Sequence, residues 1–371
     1  MRFEIGGLRK KQILIFDKCN SEFILNALKS ADYNSFFILD LRKKSINLSI
    51  LISYYFYLSL VKTKNIKLAY MAGILKKVQP EFVITFIDNN KNFYELSLQF
   101  PKIKFYAIQN GNRGLCSEKE KFYKTYYSQY FFNLPSKYYP VKYLSIGNFE
   151  KLFFSEFCSF QLKKIIPIGS LALSDKFYKS LSNNKSICLY PKFDLGIVGN
   201  AFFGPFEMRS TEKKIFLYLK KLLEEDNNLN VCYISKFSDT HQYSVEHKKY
   251  ISEFFNNNIE YFDYTNNNFA LANNCNLLLG ALTTMLREAY SMGIKIFSTN
   301  LFPEEITTPY SNIGYNKFPS YAEFKDSIYK ILNLERKKYF DLEDQKFLDL
   351  NSFEGKTASE NLAIIINQDK D

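Results

Sequence analysis

Residues 276–300 read Asn-Leu-Leu-Leu-Gly-Ala-Leu-Thr-Thr-Met-Leu-Arg-Glu-Ala-Tyr-Ser-Met-Gly-Ile-Lys-Ile-Phe-Ser-Thr-Asn. The run 277–280 is continuously apolar, which is typical of a strand covered on both faces of a parallel sheet. Thr283 and Thr284 stand where the next helix begins, and a second strand closes the unit. Because a helix start offers unpaired N–H groups and partial positive charge, this segment predicts a phosphate site, to which the threonine hydroxyls add hydrogen bonds.

Two charged residues follow in the predicted helix. Glu288 lies one turn beyond Thr284, where its carboxylate can reach back toward a ribose or another polyol. Arg287 is the basic residue best placed to meet a diphosphate. A plainer interpretation stays open, in which Thr283 only caps the helix, Glu288 is solvated and the Arg–Glu pair is a surface contact.

Length and charge limit the classes of protein to which this chain can belong. The chain has 371 residues, of which 46% are hydrophobic and 23% charged, so two folded domains of ordinary size are expected. The formal net charge of +11 favours anionic partners, namely an acidic membrane surface or nucleotide phosphates. Nucleic acid is not expected, because no binding motif accompanies the basic groups, and solvated lysine remains the ordinary explanation of each cluster.

Cysteine and histidine do not form a metal-binding pattern. The 6 cysteines are widely spaced and only His241 and His247 accompany them, so we expect reduced thiols and neither a metal ion nor a cofactor. Both histidines are interpreted as solvated or packing residues. The N-terminus lacks a secretory apolar core, which predicts a cytoplasmic protein. The most apolar long stretch, 48–61, is too short to span a bilayer and is interpreted as a buried helix.

Strand-like and helix-like segments alternate along the chain. In the first half, strands are predicted at 12–16, 36–39, 82–87 and 103–108, and helices at 21–30, 47–61, 66–78 and 92–99. The segment 115–162 is not assigned. In the second half, strands are predicted at 164–168, 186–190, 231–235 and 259–262, and helices at 211–225, 244–256, 269–273, 321–332 and 358–366. This βαβα pattern predicts parallel sheets with helices on both faces.

The alternation restarts near 165–181, which divides the chain in two. We predict an N-terminal domain at 1–165, a C-terminal domain at 166–345, and a final segment, 346–371, that packs back on the first domain. Domains of this kind carry their functional loops at the carboxyl ends of parallel strands. The predicted fold class is therefore α/β, with two Rossmann-like domains facing across a cleft.

Polar residues follow two strands of the first domain. Asp88 comes directly after the run 82–87, where a carboxylate can face the cleft and act as the base that deprotonates an acceptor hydroxyl. Gln109, Asn110 and Arg113 follow the next strand and are the predicted acceptor-binding residues, with Arg113 able to pair with a phosphate or carboxylate. The alternatives are structural, because Asp-Asn-Asn and Asn-Gly are also common in turns and helix caps.

Glycines in the second domain are candidates for close approach to a nucleotide. Gly169-Ser170 and the loop 191–205 are the predicted places, because glycine removes the side-chain obstacle. No Gly-x-Gly-x-x-Gly fingerprint is present, and Gly355-Lys356-Thr357 lacks the first glycine and the leading strand of a P-loop. These absences count against a dehydrogenase or an ATPase.

Five short motifs occur in order along most of the chain. They are Phe-Ile-Asp-Asn-Asn at 86–90, Ile-Gln-Asn-Gly-Asn-Arg at 108–113, Ile-Pro-Ile-Gly-Ser at 166–170, Leu-Thr-Thr-Met-Leu-Arg-Glu-Ala at 282–289 and Met-Gly-Ile-Lys-Ile-Phe-Ser at 292–298. Together they resemble bacterial surface-carbohydrate biosynthesis proteins, which are similar to GT-B glycosyltransferases. The His-Pro pair often found before the hydroxyl-rich loop in transferases that use CMP-linked sugars is absent, so the donor nucleotide stays open.

The resemblance implies a nucleotide-sugar donor held mainly by the second domain and a glycan or lipid-linked glycan acceptor held by the first. Thr283, Thr284 and Glu288 would contact the donor, and Asp88 would be the catalytic residue. The expected function is metal-independent sugar transfer to a surface polysaccharide or lipopolysaccharide, in the cytoplasm or peripherally at the anionic inner membrane. Two alternatives are a polyol-phosphate transferase of the CDP-glycerol type and a non-catalytic glycan-binding scaffold.

Overall fold

The structure is a computed structural model. It describes residues 2–4, 8–30, 32–40, 45–111, 126–172, 191–199, 210–235, 239–240, 244–263, 268–281, 283–301, 311–317, 319–345, 348 and 356–370. Three sequence predictions lie outside these residues, namely the roles of Arg113 and His241 and the strand 186–190.

The chain divides into two compact units. Unit 1 consists of Met1–Asn110, Lys119–Ala172 and Phe353–Asp371, and unit 2 consists of Gly111–Glu118 and Leu173–Ser352. Each unit is built around one six-stranded parallel sheet.

Unit 1 contains eight strands among its described residues: β1 (Arg2–Glu4), β2 (Ile13–Phe16), β3 (Phe36–Leu39), β4 (Ser45–Asn47), β5 (Phe82–Thr85), β6 (Lys104–Ile108), β7 (Tyr138–Ser145) and β8 (Gln161–Pro167). Its helices are α1 (Ser21–Ser30), α2 (Leu48–Leu51), α3 (Tyr54–Thr63), α4 (Ile66–Val78), α5 (Lys91–Gln99), a π-helical turn (Tyr126–Phe131), α6 (Phe149–Phe157) and, from the C-terminus, α13 (Ala358–Gln368). The sheet order is β3-β2-β5-β6-β7-β8, and β1 pairs separately with β4.

The central strands of unit 1 are apolar on both sides, as a parallel sheet covered by helices requires. Every residue of β2 and of β5 is buried. One face of the sheet packs against α1 and α13. Leu362 and Ile366 of α13 are fully buried in the same core as Ile15 and Ile84 of the sheet. Burial of this kind contributes about 2 kcal/mol per large aliphatic side chain. The C-terminal helix is therefore an integral part of unit 1.

A polar anchor fixes the end of that helix. The Asp369 carboxylate accepts hydrogen bonds from Lys142 Nζ at 2.7 Å and from the Tyr106 hydroxyl. These contacts lower the pKa of Asp369, while partial burial opposes them. Thr357 caps the other end of α13 by accepting the Glu360 N–H at 3.2 Å.

Unit 2 contains six strands in its described part: β9 (Phe193–Val198), β10 (Val231–Ile234), β11 (Glu260–Phe262), β12 (Cys275–Gly280), β13 (Ile296–Asn300) and β14 (Tyr315–Lys317). Its helices are α7 (Ser210–Glu225), α8 (Ser244–Phe254), α9 (Asn268–Asn273), α10 (Thr284–Ser291), α11 (Tyr321–Leu332) and α12 (Arg336–Asp341). The order β11-β10-β9-β12-β13-β14, counted within the unit, is 3-2-1-4-5-6. That is the strand order of dinucleotide-binding Rossmann sheets.

The predicted buried helix 47–61 is wrong in two respects. The segment is divided into β4, α2 and α3, because the Ser53 hydroxyl accepts the Phe56 N–H at 3.1 Å and starts a new helix. It is also not buried, since Tyr54 is 70% exposed and Tyr57 63% exposed.

The predicted strand 164–168 is present and belongs to the first sheet. It is β8, which pairs with β7 as the last strand of the first sheet, so Gly169 and Ser170 follow a strand of unit 1. The second sheet begins instead inside the predicted loop 191–205, because Phe193–Val198 is its central strand. A Cβ on Gly196 would lie 2.6 Å from Cys275 Sγ, so side chains of the neighbouring strand fill the space that a larger residue would need.

Candidate functional site

The strand order of unit 2 reverses between β9 and β12. In open parallel sheets, ligands bind beyond the carboxyl ends of the strands at such a reversal. The described residues there are Gly199 after β9, Gly280 and Ala281 at the end of β12, and Thr283 before α10. The unit 276–300, which the sequence analysis singled out, therefore occupies the ligand-binding position of this sheet.

Both strand ends carry a glycine, and a side chain would fit tightly at Gly280 and clash at Gly199. A Cβ on Gly280 would lie 3.3 Å from the Val198 carbonyl oxygen, from Thr283 Cγ2 and from Leu286 Cδ1. A Cβ on Gly199 would lie 2.1 Å from the Tyr233 hydroxyl, and Tyr233 is fully buried. The backbone itself thus forms the floor of this position.

The start of α10 is capped by Thr283. Thr283 is extended, with φ −132° and ψ 137°, and its hydroxyl accepts the Met285 N–H at 3.4 Å. The Leu286 N–H reaches the Thr283 carbonyl at 3.3 Å. Both contacts are long beside a usual N–H···O distance of about 2.9 Å. Thr283 and Thr284 are both half-buried, so part of each residue is exposed at the helix start, a kind of position at which anions bind.

The first turn of α10 is followed by two buried charged residues. Arg287 is 1% exposed and Glu288 is 5% exposed. The interpretation of this pair as a solvated surface contact is therefore wrong. Helical spacing puts Glu288 on the same side of α10 as Thr284, one turn deeper. The helix that begins at the two threonines thus carries a buried guanidinium and a buried carboxylate about one turn further along.

A second polar cluster lies beside the same sheet on α8. The ring of His247 is 2% exposed, with Nδ1 2.8 Å from the Tyr261 hydroxyl and Nε2 3.5 Å from the Tyr233 hydroxyl. The sequence predicts a solvated or packing role for this histidine, and the structure shows the packing role. Burial lowers its pKa to about 4, and the nearby Asp263 carboxylate opposes that shift.

Because His247 is buried with a lowered pKa, we expect the stability of unit 2 to fall in acid. Because its folded pKa of about 4 lies below the ordinary 6.5, the unfolded chain binds more protons between those values, and stability falls as the pH is lowered through that window. Between pH 7 and pH 5 we expect a loss of about 2 kcal/mol from this residue. Urea unfolding at both pH values should show this loss in the native protein and not in His247→Gln. An equal loss in both proteins would assign the acid sensitivity to other groups.

The sheet of unit 1 also reverses its order, between β2 and β5. Asp17 follows β2 and Asp88 follows β5, so two carboxyl groups flank this reversal. The Thr85 hydroxyl donates to the Phe16 carbonyl at 2.8 Å and accepts the Ile87 N–H at 3.0 Å. These bonds join the two strand ends and stop β5 two residues before the predicted end at 87.

Asp88 is enclosed by the protein and has no exposed surface. Its carboxyl group accepts a hydrogen bond from the Tyr143 hydroxyl, and its carbonyl accepts one from the Tyr94 hydroxyl at 2.5 Å. Burial raises the pKa of Tyr94 well above its usual value, so that hydroxyl stays protonated and donates. The geometry ties Asp88 to β7 and α5 and does not present its carboxylate to solvent.

The predicted acceptor-binding residues have different surroundings. The Gln109 amide donates to Glu150 at 2.8 Å, and its oxygen accepts the Ile146 N–H at 2.8 Å, so this side chain fastens the ends of β6 and β7 together. Asn110, the next residue, is exposed. At the end of β8, Gly169 has φ +90°, and the buried Ser170 hydroxyl accepts the Ala172 N–H at 3.3 Å.

Several residues at these edges were missed by the sequence analysis. Asp17 carries the same signal that selected Asp88, a carboxylate directly after an apolar strand, and it was overlooked. It is 4% exposed, has φ 80° and accepts the Cys19 N–H at 3.0 Å. Tyr143 and Glu150 lie in the unassigned segment 115–162, where the sequence carried no usable signal.

Among the residues that the structure describes, no three His, Cys, Asp or Glu side chains come together as a metal site. Within the same ranges, no helix is long and apolar enough to cross a bilayer.

The sequence matches no protein-family model and no curated protein. Solved structures match it over nearly its whole length at low identity. A glycosyltransferase from Rickettsia africae is 15% identical with a TM-score of 0.51, covering 97% of this chain and 98% of that one. The UDP-GlcNAc 2-epimerase of Methanocaldococcus jannaschii, in complex with UDP-GlcNAc and UDP, is 13% identical with a TM-score of 0.54, covering 99% and 100%. The wall teichoic acid polymerase TagF, soaked with CDPG, is 10% identical with a TM-score of 0.50, covering 96% and 88%.

These neighbours support the fold alone, because at identities this low individual residues cannot be matched between the sequences. They include enzymes that transfer sugars, isomerise a nucleotide sugar or polymerise teichoic acid. The predicted α/β class with two Rossmann-like sheets is confirmed. The chain therefore has a GT-B-like fold.

Proposed function

We propose that this protein is a glycosyltransferase that moves a sugar from a nucleotide-sugar donor to a bacterial surface polysaccharide or lipopolysaccharide. The observation that carries the proposal is the start of α10. It lies at the order reversal of a 3-2-1-4-5-6 sheet and carries two half-buried threonines, followed along the helix by the buried Arg287 and Glu288. This is the position at which Rossmann-like sheets bind nucleotide phosphates.

In this proposal the donor phosphates meet Thr283, Thr284 and the N–H groups of the first turn. Glu288 faces the ribose or sugar hydroxyls, and Arg287 adds positive charge near the diphosphate. During transfer the acceptor hydroxyl oxygen bonds to the anomeric carbon of the sugar and releases its proton to solvent, the bond from that carbon to the donor phosphate breaks, and negative charge grows on the leaving nucleotide. The partial positive charge of the helix start stabilises that anion where it forms. A neighbour of the same fold holds UDP-GlcNAc and UDP, which supports a nucleotide-sugar donor.

The acceptor is a glycan or lipid-linked glycan, and we assign it to the carboxyl edge of the sheet in unit 1. Asn110 is the predicted acceptor residue with an exposed side chain there. Gln109 acts through the strand ends that it joins, because both ends of its amide are already bonded to the protein.

A second candidate is a polyol-phosphate transferase of the CDP-glycerol type. The fold neighbour soaked with CDPG favours it. Such an enzyme would use the same helix start for the diphosphate but would transfer a phosphorylated polyol.

The test is a thermal-shift panel of UDP-, GDP-, CDP-, CMP- and dTDP-linked sugars together with CDP-glycerol, followed by product analysis with the labelled hit. The proposal predicts one selective nucleotide sugar and transfer of its label to an acceptor glycan. A shift restricted to CDP-glycerol supports the second candidate. If the labelled sugar is isomerised but stays attached to the nucleotide, the protein is an epimerase. If no compound of the panel shifts the melting temperature, a donor site is contradicted.

Glu288→Gln is expected to weaken binding of the panel's hit by about tenfold, because a neutral amide replaces a carboxylate that accepts hydrogen bonds from donor hydroxyls. Titration calorimetry measures the change. Glu246→Gln is the matched control, since Glu246 is exposed on α8 of the same unit. Equal affinities for the native protein and Glu288→Gln would remove Glu288 from the donor site.

A further inference from the structure

Helix α3 presents an apolar stripe to solvent. Tyr54 is 70% exposed, Tyr57 63%, Leu58 39% and Val61 61%. Their spacing of i, i+3, i+4 and i+7 places all four on one face of the helix. We call these four residues the α3 stripe. Ile52 before the helix and Ile66 after it are 83% and 66% exposed, so exposed apolar side chains continue beyond both ends.

The opposite face of α3 fixes the helix on unit 1. Ser59 is buried, and α3 packs along α4. A Cβ on Gly73 of α4 would lie 2.9 Å from Ile50 Cγ2 of α2 and in ordinary contact, 3.8 Å, with Phe56 Cα of α3, so α4 lies against both helices. The stripe is therefore a fixed surface feature and not the loose side of an unpacked helix. A soluble protein that holds such a face outward needs something to cover it.

The charged residues of the segment that carries the stripe are of one sign. From Leu41 to Pro80 the sequence has eight Lys and Arg residues and no Asp or Glu. Lys62, Lys64 and Lys67 are exposed next to the stripe. Lys76 of α4 places Nζ 5.4 Å from the centre of the Tyr55 ring, at the border of the stripe. Whatever covers this surface must accept apolar side chains in the middle and positive charge around them.

We propose that the α3 stripe docks on the surface of an anionic phospholipid bilayer, with α3 lying in the interface plane. Tyrosine rings match the headgroup level, Leu58 and Val61 reach the acyl boundary, and the lysines contact lipid phosphates. A second copy of the chain fits less well, because a symmetric contact would bring two lysine clusters together without a carboxylate from this segment. The docking is independent of the transfer activity proposed above.

The first test uses the absence of tryptophan from the chain. Tyr57→Trp supplies a single reporter in the stripe, and Val245→Trp, at a residue 78% exposed on α8, supplies a reporter elsewhere. Vesicles of phosphatidylglycerol and phosphatidylethanolamine should shift the Tyr57→Trp emission to the blue, and brominated lipid should quench it. Val245→Trp should show neither change. Equal quenching of both reporters, or of neither, contradicts the proposal.

The second test removes the apolar contacts. Changing the four residues of the α3 stripe to Gln is expected to lower partitioning onto these vesicles by about tenfold or more, measured by flotation. The control changes Leu152, Leu217 and Val245 to Gln, three exposed apolar residues on other helices, and should leave partitioning unchanged. Because all the substituted side chains are exposed, both proteins should keep the native melting temperature.

The third test removes the charge. Lys62, Lys64 and Lys67 changed together to Gln should lower partitioning onto anionic vesicles by about 100-fold, at about fivefold per lysine, and have little effect on phosphatidylcholine vesicles. Lys330, Lys337 and Lys338 changed to Gln are the control, since they are exposed in unit 2. Stripe-dependent dimers in sedimentation without vesicle binding would overturn the membrane proposal in favour of a second copy.

Discussion

The double variant Thr283→Val, Thr284→Val is expected to bind the nucleotide-sugar donor about 1,000-fold more weakly than the native protein. Each hydroxyl donates to a charged phosphate in the proposed complex, and such a bond contributes about 2 kcal/mol. Valine keeps the shape of threonine, so the turn above Gly280 stays filled. Titration calorimetry with the donor identified by the thermal-shift panel measures the effect, and turnover at low donor concentration should fall in proportion.

The control must separate donor binding from helix capping, because Thr283 is also the N-cap of α10. Thr357→Val provides it. Thr357 caps α13 in unit 1 with the same side chain, so its loss costs about 1 kcal/mol of capping without touching the proposed donor site. We expect Thr357→Val to have a lower melting temperature than the native protein and to bind the donor with native affinity. If it binds as weakly as the double variant, or if the double variant binds normally, the α10 start is not the phosphate site.

The segment 276–300 could be interpreted from sequence because its signals are local. A short apolar strand, a hydroxyl-bearing turn and a helix start each follow from neighbouring residues, and the structure has β12, α10 and β13 there. The position of this unit at the order reversal could not be read locally. It depends on β9 pairing with both β10 and β12, contacts between strands that are far apart in the chain.

The failures have a common physical cause, since burial is decided by packing partners that a local pattern does not contain. The glycine in Phe193–Val198 favoured a loop. The segment is a central strand, and Cys275 of β12 occupies the space beside that glycine. Apolar residues at 48–61 favoured a buried helix, yet α4 covers only one side of α3. The burial of polar Arg287 and Glu288 likewise depends on contacts that the local sequence does not contain.

Asp88→Ala is expected to destabilise unit 1 by about 3 kcal/mol. The substitution leaves the Tyr143 hydroxyl without the carboxyl group that accepts its hydrogen bond, and Tyr143 is itself fully buried. Because a chain with two units need not unfold in one step, hydrogen exchange of the amides in β5 and β6 is the appropriate measurement. Tyr143→Phe should cost about 2 kcal/mol, and the double variant should cost less than the sum, since it removes both partners of one bond.

A further variant, Asp88→Asn, separates a structural Asp88 from the catalytic base that the sequence predicted. A base must come within about 3 Å of the proton it removes, so its carboxylate has to face the acceptor. The enclosure of Asp88 behind Tyr143 instead favours a role in fixing the ends of β5 and β7. Asp88→Asn, which keeps an acceptor oxygen for Tyr143, should then retain most of the turnover. A loss of about 1,000-fold in turnover by Asp88→Asn at native stability, with the acidic limb of the pH–rate profile gone, would establish the catalytic role and require the turn after β5 to open when the acceptor binds.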